Sequence, residues 1–214
     1  MSGDSVRVAS PLFPVEGQGS IPMSPLQFEI EIIPTQKAIE LNKLWHSRLP
    51  KLPIWNVVTK HGISFGASYK NIYFAIAIWS RPIARALDDK FTFELRRMAI
   101  HVDAPKNTAS RMISIMCKII KKRTNYRRLI SYQDTKVHNG TIYKASGWIA
   151  TNTSKGVSWF KPRKNLALTQ QSGIENLQTD APKIRWEKQI RPEPETKIIA
   201  IKPPKKTSQK GLFF

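Results

Sequence analysis

Cysteine is almost missing from this chain: Cys117 is the single one in 214 residues. One thiol can build neither an intramolecular disulfide nor a zinc-ribbon framework. Long hydrophobic runs are missing as well. No stretch approaches the roughly 18 consecutive apolar residues that span a membrane. The opening MSGDSVRVASPLFPVEGQGSIPMSP has neither the basic n-region nor the apolar h-region of a secretory signal. These absences predict a cytoplasmic protein with no membrane partner. Acids are the third scarcity. Asp and Glu total 15 against 35 Lys and Arg, a formal charge of +20, and a charge of that size opposes compaction and points to a polyanion as partner.

The imbalance is local. Between Ala104 and Ile174 fourteen Lys and Arg face one acid, Asp134, whereas nine acids lie between Asp4 and Asp103. A solvated surface mixes its signs, so a one-signed half suggests a nucleic-acid face. Within it KKRTNYRR (121–128) is densest, with Lys121, Lys122, Arg123, Arg127 and Arg128 around Tyr126. Lys136, Lys144, Lys161, Arg163 and Lys164 extend the stripe, with Trp159 and Phe160 beside it.

Patterning predicts one α/β domain with a mixed sheet over residues 27–174, between a flexible arm (1–26) and a basic, mostly extended tail (175–214). FEIEII (28–33) alternates as a strand, and TQKAIELNKLWHSRL (35–49) has helical spacing with Ala38, Leu41, Leu44 and Trp45 on one side. HGISFGASY and the continuous apolar NIYFAIAIW read as strands, the second buried on both faces. SRPIARALDD is a connection, FTFELRRMAI a strand, and ASRMISIMCKIIKKR an amphipathic helix that places Cys117 in the core. RRLISYQD (127–134) is a strand, HNGTIYKASGW a helix ending at a left-handed Gly147, and GWIATN and VSWFK are closing strands.

Several side chains carry two readings. Asp134 ends a predicted strand, where a mixed sheet opens. It is a proton acceptor or metal ligand there, or else a salt-bridge partner of Arg127 or Arg128, or a helix N-cap. Tyr143 is an acid or ligand, or packs on Trp148. His46 is a base or ligand, or complements the end of its helix. Arg96 and Arg97 are adjacent on a strand and are expected on opposite faces. Arg81 and Arg85 either clamp a phosphate or pair with Asp88 and Asp89.

Tyr143, Gly147 and Trp148, following the strand RRLISYQD, resemble the last helix of the GNAT N-acetyltransferase fold, where such a tyrosine commonly returns a proton to the departing thiolate. WHSRLP (45–50), RPIARALDD (81–89), FELRRMAI and YRRLISYQD together resemble the phage Mom-type DNA-modification proteins, relatives of that fold. The resemblance implies a transferase that adds a carbamoyl- or acyl-type group to the exocyclic N6 amine of adenine in phage DNA, shielding it from host restriction. The compartment is then the host cytoplasm and the partner double-stranded DNA, with the oligomeric state open, a homodimer included. It makes His46, Asp134 and Tyr143 the catalytic set, or the ligands of an iron ion with His138 or His101 adding an imidazole. Arg81, Arg85, Arg96, Arg97, Lys121, Lys122, Arg123, Tyr126, Arg127, Arg128, Tyr132 and Trp148 become DNA and substrate contacts. A base flipped from the duplex needs an aromatic platform, for which Tyr132, Trp148 and Trp55 are available. Acetyl-CoA or another acyl donor would sit on the loop HVDAPKNTAS, where Asn107, Thr108 and Ser110 open a helix. That loop has a proline and no glycine, so the close backbone approach glycine gives is expected to be missing. Two other readings share the charge or the fold: an acyl-CoA N-acetyltransferase acting on a small-molecule or protein amine, and a non-enzymatic nucleic-acid-binding protein.

Overall fold

Alternation of apolar and acidic residues makes Glu29–Ile33 the first strand, β1, and the helical spacing that follows makes Thr35–Trp45 the helix α1. The computed structural model describes residues 21–46, 61–154 and 181–192. Residues 1–20 of the arm, Trp55, the VSWFK strand, the cations Lys161, Arg163 and Lys164, and the tail from 193 onward lie outside the described residues. β2 (Ile63–Tyr69), β3 (Ile72–Ser80) and β4 (Thr92–Ile100) then run as an antiparallel meander. The helix α2 (Thr108–Arg123) leads to β5 (Arg128–Asp134), the short helix α3 (Thr141–Ala145), β6 (Ile149–Ser154) and β7 (Lys183–Gln189).

The seven strands form one sheet in the order β1-β2-β3-β4-β5-β7-β6. Only β4 and β5 pair in parallel, because α2 carries the chain back between them. β3 is buried on both sides, as its unbroken apolar run requires. Ala75, Ala77 and Trp79 face α2, and Ile76 and Ile78 face α1 with Ile33, Ala38, Leu41 and Ala99. Met112, Ile113, Met116 and Ile120 of α2 close the larger core, and Cys117 lies among them, its thiol pushed up to about 11 by burial. Trp79 stacks on Phe93 at 5.8 Å and Phe93 on Tyr126 at 4.1 Å, so an aromatic row runs along the α2 face.

Two features depart from the sequence expectation. The register of β4 against β3 jumps from Trp79↔Leu95 to Ile78↔Arg97. Arg96 is therefore the extra residue of a β-bulge, and strict alternation fails there. The second departure is β7. Residues 183–189, assigned to the basic tail, instead fill the slot between β5 and β6, in register from Asp134↔Lys183 to Arg128↔Gln189. The segment KIRWEKQ has little apolar mass, but its Ile184 and Trp186 fall at period two and both reach the α2-side core.

Trp186 is 4% exposed and stacks on Tyr143 at 5.5 Å. Trp186→Ala is therefore expected to lower unfolding free energy by about 3–5 kcal/mol, read from the midpoint of a urea transition at constant slope. A loss below ~1 kcal/mol would show that β7 is dispensable.

Candidate active site at the fork between two strands

β4 and β5 pair only from Thr92↔Arg128 to Leu95↔Ser131. Beyond that point β4 runs on to Ile100 and β5 to Asp134 without pairing, so the sheet forks. Ser131 sits at the apex. Its hydroxyl donates to the Leu95 carbonyl at 3.2 Å, the last acceptor before the strands part, and lies 2.9 Å from the Tyr143 hydroxyl. With the Ser131 proton on Leu95 O, the phenol is the donor of that pair. Helix α3 places Tyr143 there because its C-terminal turn closes in a Schellman motif. Gly147 adopts φ +71°, its N–H donates to Lys144 O, and Trp148 N–H donates back to Tyr143 O at 3.0 Å. Trp186 and Trp148 wall the phenol on two sides. Burial raises the Tyr143 pKa, with the Ser131 hydrogen bond opposing, so the group keeps its proton at neutral pH.

Gly140 precedes α3 at φ +71°, and a Cβ there would come within 2.6 Å of Gln133 Oε1 and 2.7 Å of Trp186 Cζ2. The same Gln133 oxygen accepts from Trp186 Nε1 at 2.7 Å, while its amide donates to His138 O. β5, β7 and α3 are thus locked together around the phenol. Sequence reasoning missed Ser131, Gln133 and Trp186. The visible signal was the alternation of Ile184 and Trp186 with charged neighbours.

The α1 face of the fork is polar. Because of the bulge, Arg96 and Arg97 both turn to this face instead of to opposite ones. Arg96 pairs with Glu94 at 3.5 Å with its side chain 5% exposed, and Arg97 Nη1 donates to Arg96 O at 2.7 Å. Burial, then the neighbouring Arg96, pulls Arg97 down to about 10. Burial pushes the Glu94 carboxyl up against the pull of Arg96. Tyr132, 38% exposed, lies beside Arg185 and Glu94. Arg185 pairs with Glu187 at 2.7 Å. Asp134 stands across from Lys183 in the ladder, accepts from Lys136 N–H at 3.0 Å, and its carbonyl accepts from His138 N–H. It therefore shapes the turn after β5.

His46 ends α1, and burial, then Arg97 and His138 nearby, lowers it to about 4. His46 and Asp134 thus belong to the α1 face, whereas the Tyr143 hydroxyl belongs to the α2 face. The structure does not bring the three together. Among the described residues no group of three His, Cys, Asp or Glu side chains is placed to hold a metal. His101 is engaged elsewhere, edge-on to Trp45 and Phe74 with Nδ1 accepting from Asp103 N–H. The donor set expected for iron is not assembled among the described residues.

At the open end of the fork the chain enters α2. Asn107 adopts φ +67°, the left-handed conformation that Asn tolerates best after glycine. Asn107 thus supplies the backbone turn that glycine would give, while its side chain stays where glycine would leave space. No side chain caps α2. Thr108 Oγ1 donates to Pro105 O and Ser110 Oγ to Asn107 O, so neither covers the first-turn N–H donors. An uncapped helix start beside a fork fits a pyrophosphate.

The remaining predicted contacts gather at the opposite end of the sheet. Arg81 makes a bidentate pair with Asp88, both bonds 2.8 Å, and Arg85 is exposed on the adjoining turn. Arg128 binds Asp89 at 2.9 Å and Thr92, while Arg127 donates to Pro192 O and lies over the Phe91 ring. Tyr126 is half-buried and stacks on Phe93 against the core. RPIARALDD is thus largely a brace. Lys121, Lys122 and Arg123 are exposed at the end of α2, a helix about 24 Å long that separates them from the open end of the fork. Trp148, 4% exposed, cannot receive a flipped base.

His46 titrates ordinarily near 6.5 and in the fold at about 4. The folded state therefore takes up this proton later than the unfolded chain. Its contribution to stability is complete above pH ~6.5 and is lost as the pH falls towards ~4. Imidazole resonances followed by NMR should show one histidine neutral down to about pH 5. A His46 midpoint at 6 or above would show that burial and Arg97 do not depress it.

The fold is that of the N-acetyltransferases. An IAA acetyltransferase from Bacillus cereus ATCC 14579 superposes with a TM-score of 0.53 at 14% identity, over 76% of this chain and 99% of that one. A Bacillus subtilis acetyltransferase in complex with CoA gives 0.54 at 12%, over 76% and 98%. The ribosomal-protein-S18-alanine N-acetyltransferase from Escherichia coli gives 0.51 at 12%, over 79% and 97%. No curated protein matches in sequence. No helix among the described residues is long and apolar enough to cross a membrane. The Mom protein family model matches residues 27–198, from the start of β1 to beyond β7, and with the forked sheet in place the chain belongs to the Mom family.

Proposed function

We propose that this chain is an acyl-type transferase that modifies the exocyclic N6 amine of adenine in DNA, with restriction evasion as the benefit to a phage. One observation carries the reading. In a Mom-family chain, a buried protonated phenol is held at the apex of a parallel-strand fork. A coenzyme A thioester, when bound, would supply an activated acyl carbon and a thiol leaving group. The Asn107 turn and the first-turn N–H groups of α2 would hold its pyrophosphate. Tyr143 Oη keeps the proton that the leaving sulfur must receive, and Ser131 Oγ fixes the direction of that O–H. His46, neutral at pH 7, and Asp134 stand on the α1 face as the groups able to take a proton from the incoming amine. Tyr132 is the exposed aromatic beside them on which an extruded base would stack. Around the open end, Lys106 and Lys136 are exposed cations.

Mass spectrometry of deoxynucleosides from a plasmid co-expressed with the protein checks this directly. A heavier deoxyadenosine is expected, with its yield per unit time reduced about 10²-fold or more by Tyr143→Phe and lost in Asp134→Ala. DNA affinity should survive both changes. It should fall by roughly 10³ to 10⁵ between 50 and 200 mM salt if six to ten phosphates are neutralised. Unmodified DNA together with acetyl transfer to small amines would favour the acyl-CoA N-acetyltransferase reading, which the Asn107 turn also suits.

A further inference from the structure

Charges on the α1 face of the fork come in matched pairs, with one left over. Glu94 faces Arg96 at 3.5 Å and Glu187 faces Arg185 at 2.7 Å. Asp134 stands opposite Lys183 and favours its charged form. Arg97 is the fourth basic side chain of this group, and among the described residues no acid forms an ion pair with it. Among the described residues its hydrogen bond is Nη1 to Arg96 O, and its Nε is buried with no partner. The carboxylate that acts on it, Glu94, is already paired with Arg96. Arg96 Nη1 is also buried without a hydrogen bond, although it touches Glu94 as an ion pair. His46 beside Arg97 can add positive charge but never negative. The segment that follows it, residues 47–60, contains no Asp or Glu.

A half-buried guanidinium with an uncompensated charge and a buried, unpartnered N–H is a costly arrangement unless an acceptor arrives. The planar fork of Arg matches two oxygens of one group. We infer that Arg96 and Arg97 form a binding site for one compact oxyanion, a carboxylate or a phosphate, seated on the α1 face of the fork between His46 and Tyr132. This narrows the expectation that the two arginines contact DNA or substrate to a small anion instead of the duplex backbone. The Arg96 side chain is 5% exposed, and the phosphates of a duplex cannot be carried that far beneath the surface. The site also differs from the pyrophosphate cradle, which belongs to the α2 N-terminus after Asn107. It stands whether or not the chain transfers an acyl group, because binding alone reports it.

The test uses the full chain with ¹⁵N-labelled arginine side chains, the Arg97 Nε–H resonance being assigned from Arg97→Lys. Sodium acetate and sodium phosphate are titrated separately at constant ionic strength against sodium chloride. A saturable shift of the Arg97 signal with either anion is expected, acetate marking a carboxylate site and phosphate a phosphate site. Arg96→Lys should weaken the response about tenfold or more through the loss of a charge-assisted pair, and Lys118→Ala, on an exposed face of α2, should leave it unchanged. Titrations indistinguishable from chloride with both anions would overturn the site. So would a saturable shift produced by a short DNA duplex but by neither small anion. Should Arg96→Lys fail to fold, the wild-type titrations decide by themselves.

Discussion

Everything distinctive here depends on the parting of two parallel strands. β4 and β5 share four residue pairs and then separate, and the hydroxyl of Ser131 takes the last carbonyl where the next ladder bond would lie. A strand that stops pairing leaves N–H and C=O groups that need partners. Open backbone of that kind lets an α/β sheet receive an extended ligand at the carboxyl ends of its strands. The Arg96 bulge on β4 lies immediately beyond the apex, so the strand is re-aimed just where it separates. The Tyr143 hydroxyl reaches the same point through Ser131. Opening of the sheet and placement of the proton therefore share one serine.

β7 makes that arrangement stable. With β5 unpaired from β4 at its far end, its other edge must be held, and residues 183–189 do so along the whole of β5. Trp186 then covers Tyr143, and its indole binds Gln133. A strand that arrives from far along the chain thus completes both the sheet and the pocket around the phenol. This placement has an entropic cost, since the ends of a long connection must be brought together, but that cost grows only slowly with length.

The positive charge of the chain is less uniform in role than its composition suggests. At the end of the sheet away from the fork, Arg81, Arg127 and Arg128 are bound to Asp88, Pro192, Asp89 and Thr92 and serve as ties. Lys121, Lys122 and Arg123 remain exposed and suit a polyanion. Within the fork the Arg96 side chain is buried and Arg97 is half-buried, where an arginine acts on a specific partner instead of on a field. Three populations of the same residue types are separated only by burial and by where the acids fall.

Local periodicity made most elements legible in the sequence. The alternation in β1, the apolar run of β3, the amphipathic α2 and the glycine that ends α3 each depend on neighbours within a few residues. Gly147 announced the turn that presents Tyr143, because only a left-handed residue closes that motif without strain. Which face each side chain occupies was decided by tertiary structure. One bulged residue turned Arg96 and Arg97 to the same side, and the alternation of β5 set Ser131 and Asp134 on opposite sides. Asn107 took the glycine's conformation, a choice that side-chain composition does not reveal. β7 was hidden because a strand bordered by two others needs few apolar residues of its own, and its partners lie far away in sequence. Spacing along a chain determines which residues can share a strand or a helix turn. Meeting across strands depends on register, and register is fixed only when the whole sheet assembles.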